Sequence, residues 1–220
     1  MTNSPFLFIQ WLSPSETNRE AGVVRREFLS EVGIEFVEAT DKNHFESSLA
    51  DWLLQNPSNS QYVYIGSHGI RDSADQYIGI GPTGQEYVSW DELSEILVGA
   101  DLCPVVWLGT CGSSFAAQAW SPFVRGKRPA RWIVGFRDAA LPAQIESALR
   151  QLMGRTDIGR IEFADEEAEL LEKMFERERI EFFFPACDLR GGRYLGYRNF
   201  EDEVGMTLKE YLERHPGACD

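Results

Sequence analysis

The stretch that decides the fold is QYVYIGSHG, residues 61–69. Its residues 62–65 are all β-branched or aromatic and lead into a glycine, which is typical of a buried strand. His68 follows almost directly, so it is predicted to lie where that strand ends. In an open α/β sheet, the crevice beyond the carboxyl ends of the strands is where sites form.

A second stretch, PVVWLGTCGSS at residues 104–114, is built in the same way. Its apolar residues 105–108 predict a strand that ends just before Cys111. Consecutive strands joined by a right-handed crossover are usually neighbours in a parallel sheet, and their carboxyl ends share one edge. We therefore expect His68 and Cys111 to flank a common substrate.

The rest of the chain alternates between predicted strands and helices. Residues 77–80 and 86–88 flank a glycine-containing turn and predict a β-hairpin, and SWDE at 89–92 is a capping box that begins a short helix. The other predicted strands are 6–12, 34–40 and 131–136, and the other predicted helices are 21–32, 45–53, 115–120, 143–153, 163–179 and 208–214; residues 190–198 are left unassigned. This pattern predicts one α/β domain over residues 1–220, with a mostly parallel sheet, helices on both faces and a hairpin between the third and fourth strands.

Charge and composition narrow the range of partners. The 220 residues carry 21 Lys and Arg against 35 Asp and Glu, a net charge of −14. This charge repels phosphate backbones and anionic lipid, so neither nucleic acid nor a membrane surface is expected as a partner. No signal peptide is visible and no apolar run nears the roughly 18 residues that span a bilayer, so we expect a cytoplasmic protein. The four cysteines show no CxxC spacing, which predicts free thiols.

The residues at the two predicted strand ends suit nucleophilic catalysis without a metal or cofactor. A helix beginning near Ser114 would favour the thiolate of Cys111, and His68 would exchange its proton. Gly69 and Gly112 leave room for backbone N–H groups to reach a substrate carbonyl, as an oxyanion hole requires. Cys111 is accordingly expected to be the most reactive thiol, and Cys103 a buried, slow one.

Other interpretations stay open at this point. The same fold can serve as a catalytically silent binding module. The GTCG motif also fits class I glutamine amidotransferases and DJ-1-like proteins, but a histidine must then follow the cysteine, and His215 is the one that does. A metal site would need His68, Cys103 and Cys111 to come together, although their spacing is not that of zinc ligands.

The motifs resemble those of the caspase-like cysteine peptidases, a group that includes caspases, metacaspases, gingipains and separases, and most closely those of the bacterial CHAT branch. The resemblance rests on YVYIGSHG (62–69), YIGI (77–80), YVSWDEL (87–93) and VVWLGTCGSS (105–114). It implies a caspase-like α/β/α sandwich with His68 as general acid and base, Cys111 as nucleophile, and the N–H groups of Gly69 and Cys111 as oxyanion donors.

The same resemblance implies that the chain is a regulated protease that acts on a protein substrate in bacterial antiviral defence or cell death. CHAT peptidases are often coupled to sensors, so a separate sensor or activator protein is the expected partner.

Cleavage specificity is predicted from residues 135–140, GFRDAA, where the family's usual tryptophan is missing. The carboxylate of Asp138 at the floor of the substrate pocket would select Arg or Lys. Arg137 in its place would favour acidic or neutral residues. Successive strand residues point to opposite faces, so only one of the two can line the pocket.

Overall fold

The computed structural model describes residues 6–13, 33–56, 62–84, 86–100, 103–124, 126–153 and 165–216. Its strands are β1 (Phe6–Trp11), β2 (Ile34–Glu38), β3 (Tyr62–Arg71), β4 (Tyr77–Gly81), β5 (Val88–Ser89), β6 (Val105–Gly109), β7 (Trp132–Phe136), β8 (Ile180–Ala186) and β9 (Arg193–Gly196). Its helices are α1 (Lys42–Gln55), α2 (Trp90–Gly99), α3 (Ser114–Ala119), α4 (Pro142–Met153), α5 (Asp165–Phe175), α6 (Tyr197–Val204) and α7 (Leu208–Arg214), with a 3-10 turn at Glu176–Glu178 after α5.

The central sheet is mostly parallel. Its strand order is β2-β1-β3-β6-β7-β8-β9, and the first five strands pair in parallel. β8 is antiparallel to both β7 and β9. The prediction of an α/β protein with a mostly parallel sheet is confirmed, and β4 and β5 form the expected antiparallel hairpin between β3 and β6.

Strand alternation divides the core into two layers. Tyr64 and Trp107 belong to the layer on one face of the sheet, which packs against α4, α5, α6 and α7. Val63 and Val106 belong to the layer on the other face, which packs against α1, α2 and α3. Helices therefore cover both faces, because each buried strand presents apolar side chains on its two sides.

The boundaries of several elements differ from the sequence-based expectation. The predicted helix at 21–32 lies outside the described residues. The acidic helix predicted over 163–179 ends at Phe175 and continues as the 3-10 turn. The unassigned residues 190–198 contain β9 and the start of α6.

β3 is longer than expected, and this corrects the position of His68. The strand runs on to Arg71, so His68 lies within the strand rather than after it. The first half of β3 pairs with β1 and β6, whereas His68 and the residues after it pair antiparallel with β4. The hydroxyl of Ser67 donates to the Trp11 carbonyl at 2.8 Å. This bond connects β3 to the end of β1 at the point where β3 stops pairing with β1 and starts pairing with β4.

Candidate active site

In the register between β3 and β6, His68 and Cys111 each lie two residues beyond the same pair, Gly66 and Gly109. Tyr64 pairs with Trp107, and Gly66 pairs with Gly109. Two residues further along each chain lie His68 and Cys111. Because side chains alternate between faces, both follow the phase of Tyr64 and Trp107, and Cys111 packs against that layer of the core. The two predicted catalytic residues thus lie on neighbouring chain segments and on one face.

The backbones that follow the two residues are in close contact. A methyl group built on Gly69 would lie 2.2 Å from the carbonyl oxygen of Cys111. One built on Gly112 would lie 2.1 Å from the ring of Tyr77, and Gly112 has a φ of +63°. The Tyr77 ring therefore covers both glycines, and it is held there by Phe115 at 5.7 Å between ring centroids.

The sulfur of Cys111 contacts the loop that follows β7. The N–H of Ala140 donates to Sγ at 3.2 Å, and the thiol of Cys111 donates to the Ala140 carbonyl at 3.6 Å. The N–H of Gly112 donates to the Asp138 carbonyl at 2.9 Å. Sequence reasoning did not identify Ala140 as part of the site, because a backbone N–H leaves no signature in the residue type.

The turn after Cys111 is fixed to β7 by Ser113. This residue is completely buried, and its Oγ accepts a hydrogen bond from the Phe136 N–H at 2.7 Å. Helix α3, which begins at Ser114, has only six residues and no side-chain cap. The donor that contacts the sulfur in this structure is therefore Ala140, and not the start of the predicted helix.

Arg137 extends the β7–β8 pairing by one residue, since its N–H donates to the Arg179 carbonyl, and Asp138 follows it in the loop. β7 places Val134 and Phe136 in the same core layer as Cys111. The carboxylate of Asp138 forms an ion pair with the guanidinium of Arg179, and both side chains are about half exposed. Of the two pocket candidates, Asp138 is the one that contacts the turn after Cys111, because its carbonyl accepts the Gly112 N–H.

Arg137 belongs to the opposite face of the sheet, where it lies near Glu181 of β8. Burial raises the pKa of the Glu181 carboxyl, and the nearby Arg137 charge lowers it in part. Glu181 also packs on β9, since a methyl group at Gly196 would lie 2.3 Å from its carboxylate. Arg137 thus has an acidic neighbour within the fold, away from the face of His68.

Cys103, Cys187 and His215 lie at the other end of the sheet, where the parallel strand β6 begins, and Cys219 lies outside the described residues. Cys103 precedes β6, its Sγ donates to the Arg128 carbonyl at 3.7 Å, and burial raises its pKa to about 11. Cys187 follows β8 and lines a cavity of about 630 Å³ together with His215. The structure does not bring Cys103 or His215 to Cys111, and among the described residues no three His, Cys, Asp or Glu side chains are placed to hold a metal ion.

No helix among the described residues has the length and apolar composition needed to cross a membrane. No protein-family model matches the chain, and no curated protein matches its sequence. Among solved structures, it is similar to a secreted C11 cysteine protease from Bacteroides thetaiotaomicron, determined in complex with an irreversible peptide inhibitor. The two chains are 11% identical with a TM-score of 0.44, and the match covers 82% of this chain and 66% of the protease. This chain spans just under two thirds of that protein's length, and a likeness of this degree assigns it no activity.

Proposed function

We propose that the protein is a caspase-like cysteine endopeptidase with a dyad of His68 and Cys111. The observation that carries the proposal is the shared face and equivalent register of these two residues, two positions beyond the Gly66–Gly109 pair. A thiol and an imidazole in this arrangement can approach one carbonyl group from two sides. The motif resemblance described above supports the same pair.

The reaction proceeds through a thioester. The Cys111 thiolate attacks the carbonyl carbon of a peptide bond and forms a C–S bond as the carbonyl becomes an oxyanion. Protonated His68 gives its proton to the leaving amine as the C–N bond breaks. His68, now neutral, takes a proton from water, and the resulting attack on the thioester releases the carboxylate product and regenerates the thiol and imidazole.

Backbone N–H groups of Gly69 and Cys111 are the proposed oxyanion donors. The close approach of Gly69 to the Cys111 carbonyl supports this pair of donors. Gly112, which the sequence analysis placed near the substrate carbonyl, donates its N–H to the Asp138 carbonyl. We assign Gly112 to the shape of the turn, where its positive φ is needed.

For specificity, we propose that Asp138, rather than Arg137, faces the substrate. Its backbone contact with Gly112, the residue after Cys111, supports this assignment. A substrate Arg or Lys would have to compete with Arg179 for the carboxylate. If Arg179 stays in place, the carboxylate is neutralised and an uncharged residue is accepted instead.

The CHAT-like motifs further support a triggered protease of bacterial defence that acts on protein substrates in the cytoplasm under the control of a separate sensor. The amidotransferase alternative is less consistent with the geometry, because His215 lies at the other end of the sheet from Cys111.

A cleavage assay on a mixed peptide library, read by mass spectrometry, tests the dyad. Cys111→Ala and His68→Ala should each lower cleavage about a thousandfold or more, and the double variant should be no worse, because the pair acts as a unit. Cys187→Ser and His215→Ala, which alter a thiol and an imidazole at the other end of the sheet, should cleave like the wild type.

Two results would contradict the proposal. Activity that survives His68→Ala and disappears in His215→Ala would indicate an amidotransferase-like site. A folded wild type that cleaves no library peptide, with or without a bacterial lysate to supply an activator, would indicate a silent binding module.

A further inference from the structure

The loop between β7 and α4 holds the nucleophile through its backbone. Within it, Ala140 donates its N–H to the Cys111 sulfur at 3.2 Å, and Asp138 accepts the N–H of Gly112 at 2.9 Å. The hydroxyl of Ser114 donates to the Arg137 carbonyl at 3.3 Å. The position of residues 137–140, which we call the thiol loop, therefore decides whether a donor faces the sulfur.

The thiol loop is in turn held by one residue of a different element. The carbonyl of Arg179 accepts the Arg137 N–H at 3.1 Å, which prolongs the β7–β8 ladder by one residue. The guanidinium of Arg179 pairs with the Asp138 carboxylate. Arg179 is thus bound to two consecutive residues of the loop, once through its main chain and once through its side chain.

Arg179 lies in an unusual backbone conformation at the start of β8. Its φ is 59°, in the left-handed region that non-glycine residues rarely adopt, and its N–H donates to the Glu176 carbonyl at 3.1 Å. Glycine would adopt this conformation without strain. The arginine side chain at this place is explained by its contact with Asp138.

We infer that Arg179 is a positioning residue for the nucleophile: by pairing with Asp138 it holds the thiol loop so that the Ala140 N–H faces the Cys111 sulfur. The inference rests on the proposed function only in the role of Cys111. Ala140 both donates to the Cys111 sulfur and accepts from it, so a displaced loop would change the orientation of the reacting thiol. Arg179 would act through the loop and would touch no substrate.

The size of the effect follows from the exposure of the ion pair. Half-exposed pairs are weak and are screened by salt, so we expect a loss of about three- to fivefold when the pair is removed. The loss should shrink in 1 M salt, which screens the pair.

The test measures the rate at which Cys111 of the full-length protein is alkylated by iodoacetamide, located by peptide mapping, and requires no peptidase substrate. Arg179→Ala and Asp138→Asn should each slow the reaction about three- to fivefold at pH 7 in low salt, and the double variant should be no slower than either single one. Arg179→Lys should retain most of the rate. Arg177→Ala, which removes an exposed arginine two residues away, is the matched control and should react like the wild type.

A full rate in Arg179→Ala would overturn the inference, as would losses that add in the double variant or persist unchanged in 1 M salt. An increase in library cleavage after Arg or Lys in Arg179→Ala, without slower alkylation, would show that Arg179 instead blocks the substrate pocket. Failure of the proposed peptidase function is distinguishable, because it would leave library peptides intact while the alkylation rates still responded to Arg179.

Discussion

Gly112 shows how a single residue constrains this site. Its φ of +63° is disfavoured for any residue with a Cβ, and the Tyr77 ring occupies the space where that Cβ would stand. The conformation turns the chain directly after Cys111 and directs the Gly112 N–H to the Asp138 carbonyl. The glycine of the TCG motif is therefore required by geometry, whatever chemistry the cysteine performs.

Gly112→Ala should lower the free energy of unfolding by about 1–2 kcal/mol for the conformation alone, and more through the contact with Tyr77. It should also lower the rate of Cys111 alkylation, because the turn would shift. Urea denaturation and peptide mapping measure the two effects.

The control is Gly99→Ala, at the last residue of α2, where an added methyl group meets nothing within 4 Å. Alanine is the better helix former, so this variant should be as stable as the wild type or up to about 1 kcal/mol more stable. Equal stability of Gly112→Ala and Gly99→Ala would refute the conformational requirement.

At the scale of elements, Ser113 connects the turn after β6 to the neighbouring strand β7. A buried side-chain oxygen here satisfies the Phe136 N–H at the point where the β7 ladder ends. Gly135 allows this approach, since a methyl group there would lie 2.8 Å from the Ser113 hydroxyl. The turn after Cys111 and the end of β7 are thereby fixed to each other.

Ser113→Ala should lower the free energy of unfolding by about 1–3 kcal/mol, because a buried N–H would lose its acceptor. The midpoint of urea denaturation should fall with the slope unchanged. Ser47→Ala, which removes an exposed hydroxyl on α1, should change stability by no more than about 0.5 kcal/mol. A Ser113→Ala protein as stable as Ser47→Ala would mean that another group satisfies the Phe136 N–H.

At the scale of the whole molecule, Tyr194 joins the far edge of the sheet to the start of β7. Its hydroxyl accepts the Ala130 N–H at 2.7 Å and donates to the Ala130 carbonyl. Burial raises the pKa of this phenol well above its usual value. The pKa of Tyr194 is therefore higher in the folded state than in the unfolded state. Its protonated hydroxyl contributes fully to the stability of the fold below about pH 10, the usual pKa of tyrosine, and this contribution is lost as the pH rises beyond that value.

The free energy of unfolding should therefore decline above about pH 10, and Tyr194→Phe should flatten the decline. The same variant should be less stable at pH 7, since the buried Ala130 N–H would lack its acceptor. Tyr87→Phe, at an exposed tyrosine, should follow the wild-type pH dependence. Identical alkaline profiles for wild type and Tyr194→Phe would show that other groups control alkaline unfolding. Equilibrium denaturation at a series of pH values measures all three proteins.

Local patterns in the sequence were enough to predict strands β1 to β7, the hairpin and the pairing of β3 with β6, but they did not predict β8 or β9. β-Branched and aromatic runs define strands, and the short range of crossover connections limits which strands can be neighbours. The continuation of β3 past His68 was missed, because its pairing with β4 replaces the partner that β6 no longer supplies.

The sequence by itself determined which residues carry reactive groups. Only the tertiary structure decided that Asp138 contacts the turn after Cys111, that Ala140 donates to the Cys111 sulfur, and that Arg179 pairs with Asp138. The physical reason is that periodicity acts between adjacent residues, whereas these contacts join distant segments. A backbone N–H or an ion pair between such segments depends on how whole elements pack, which no local pattern encodes.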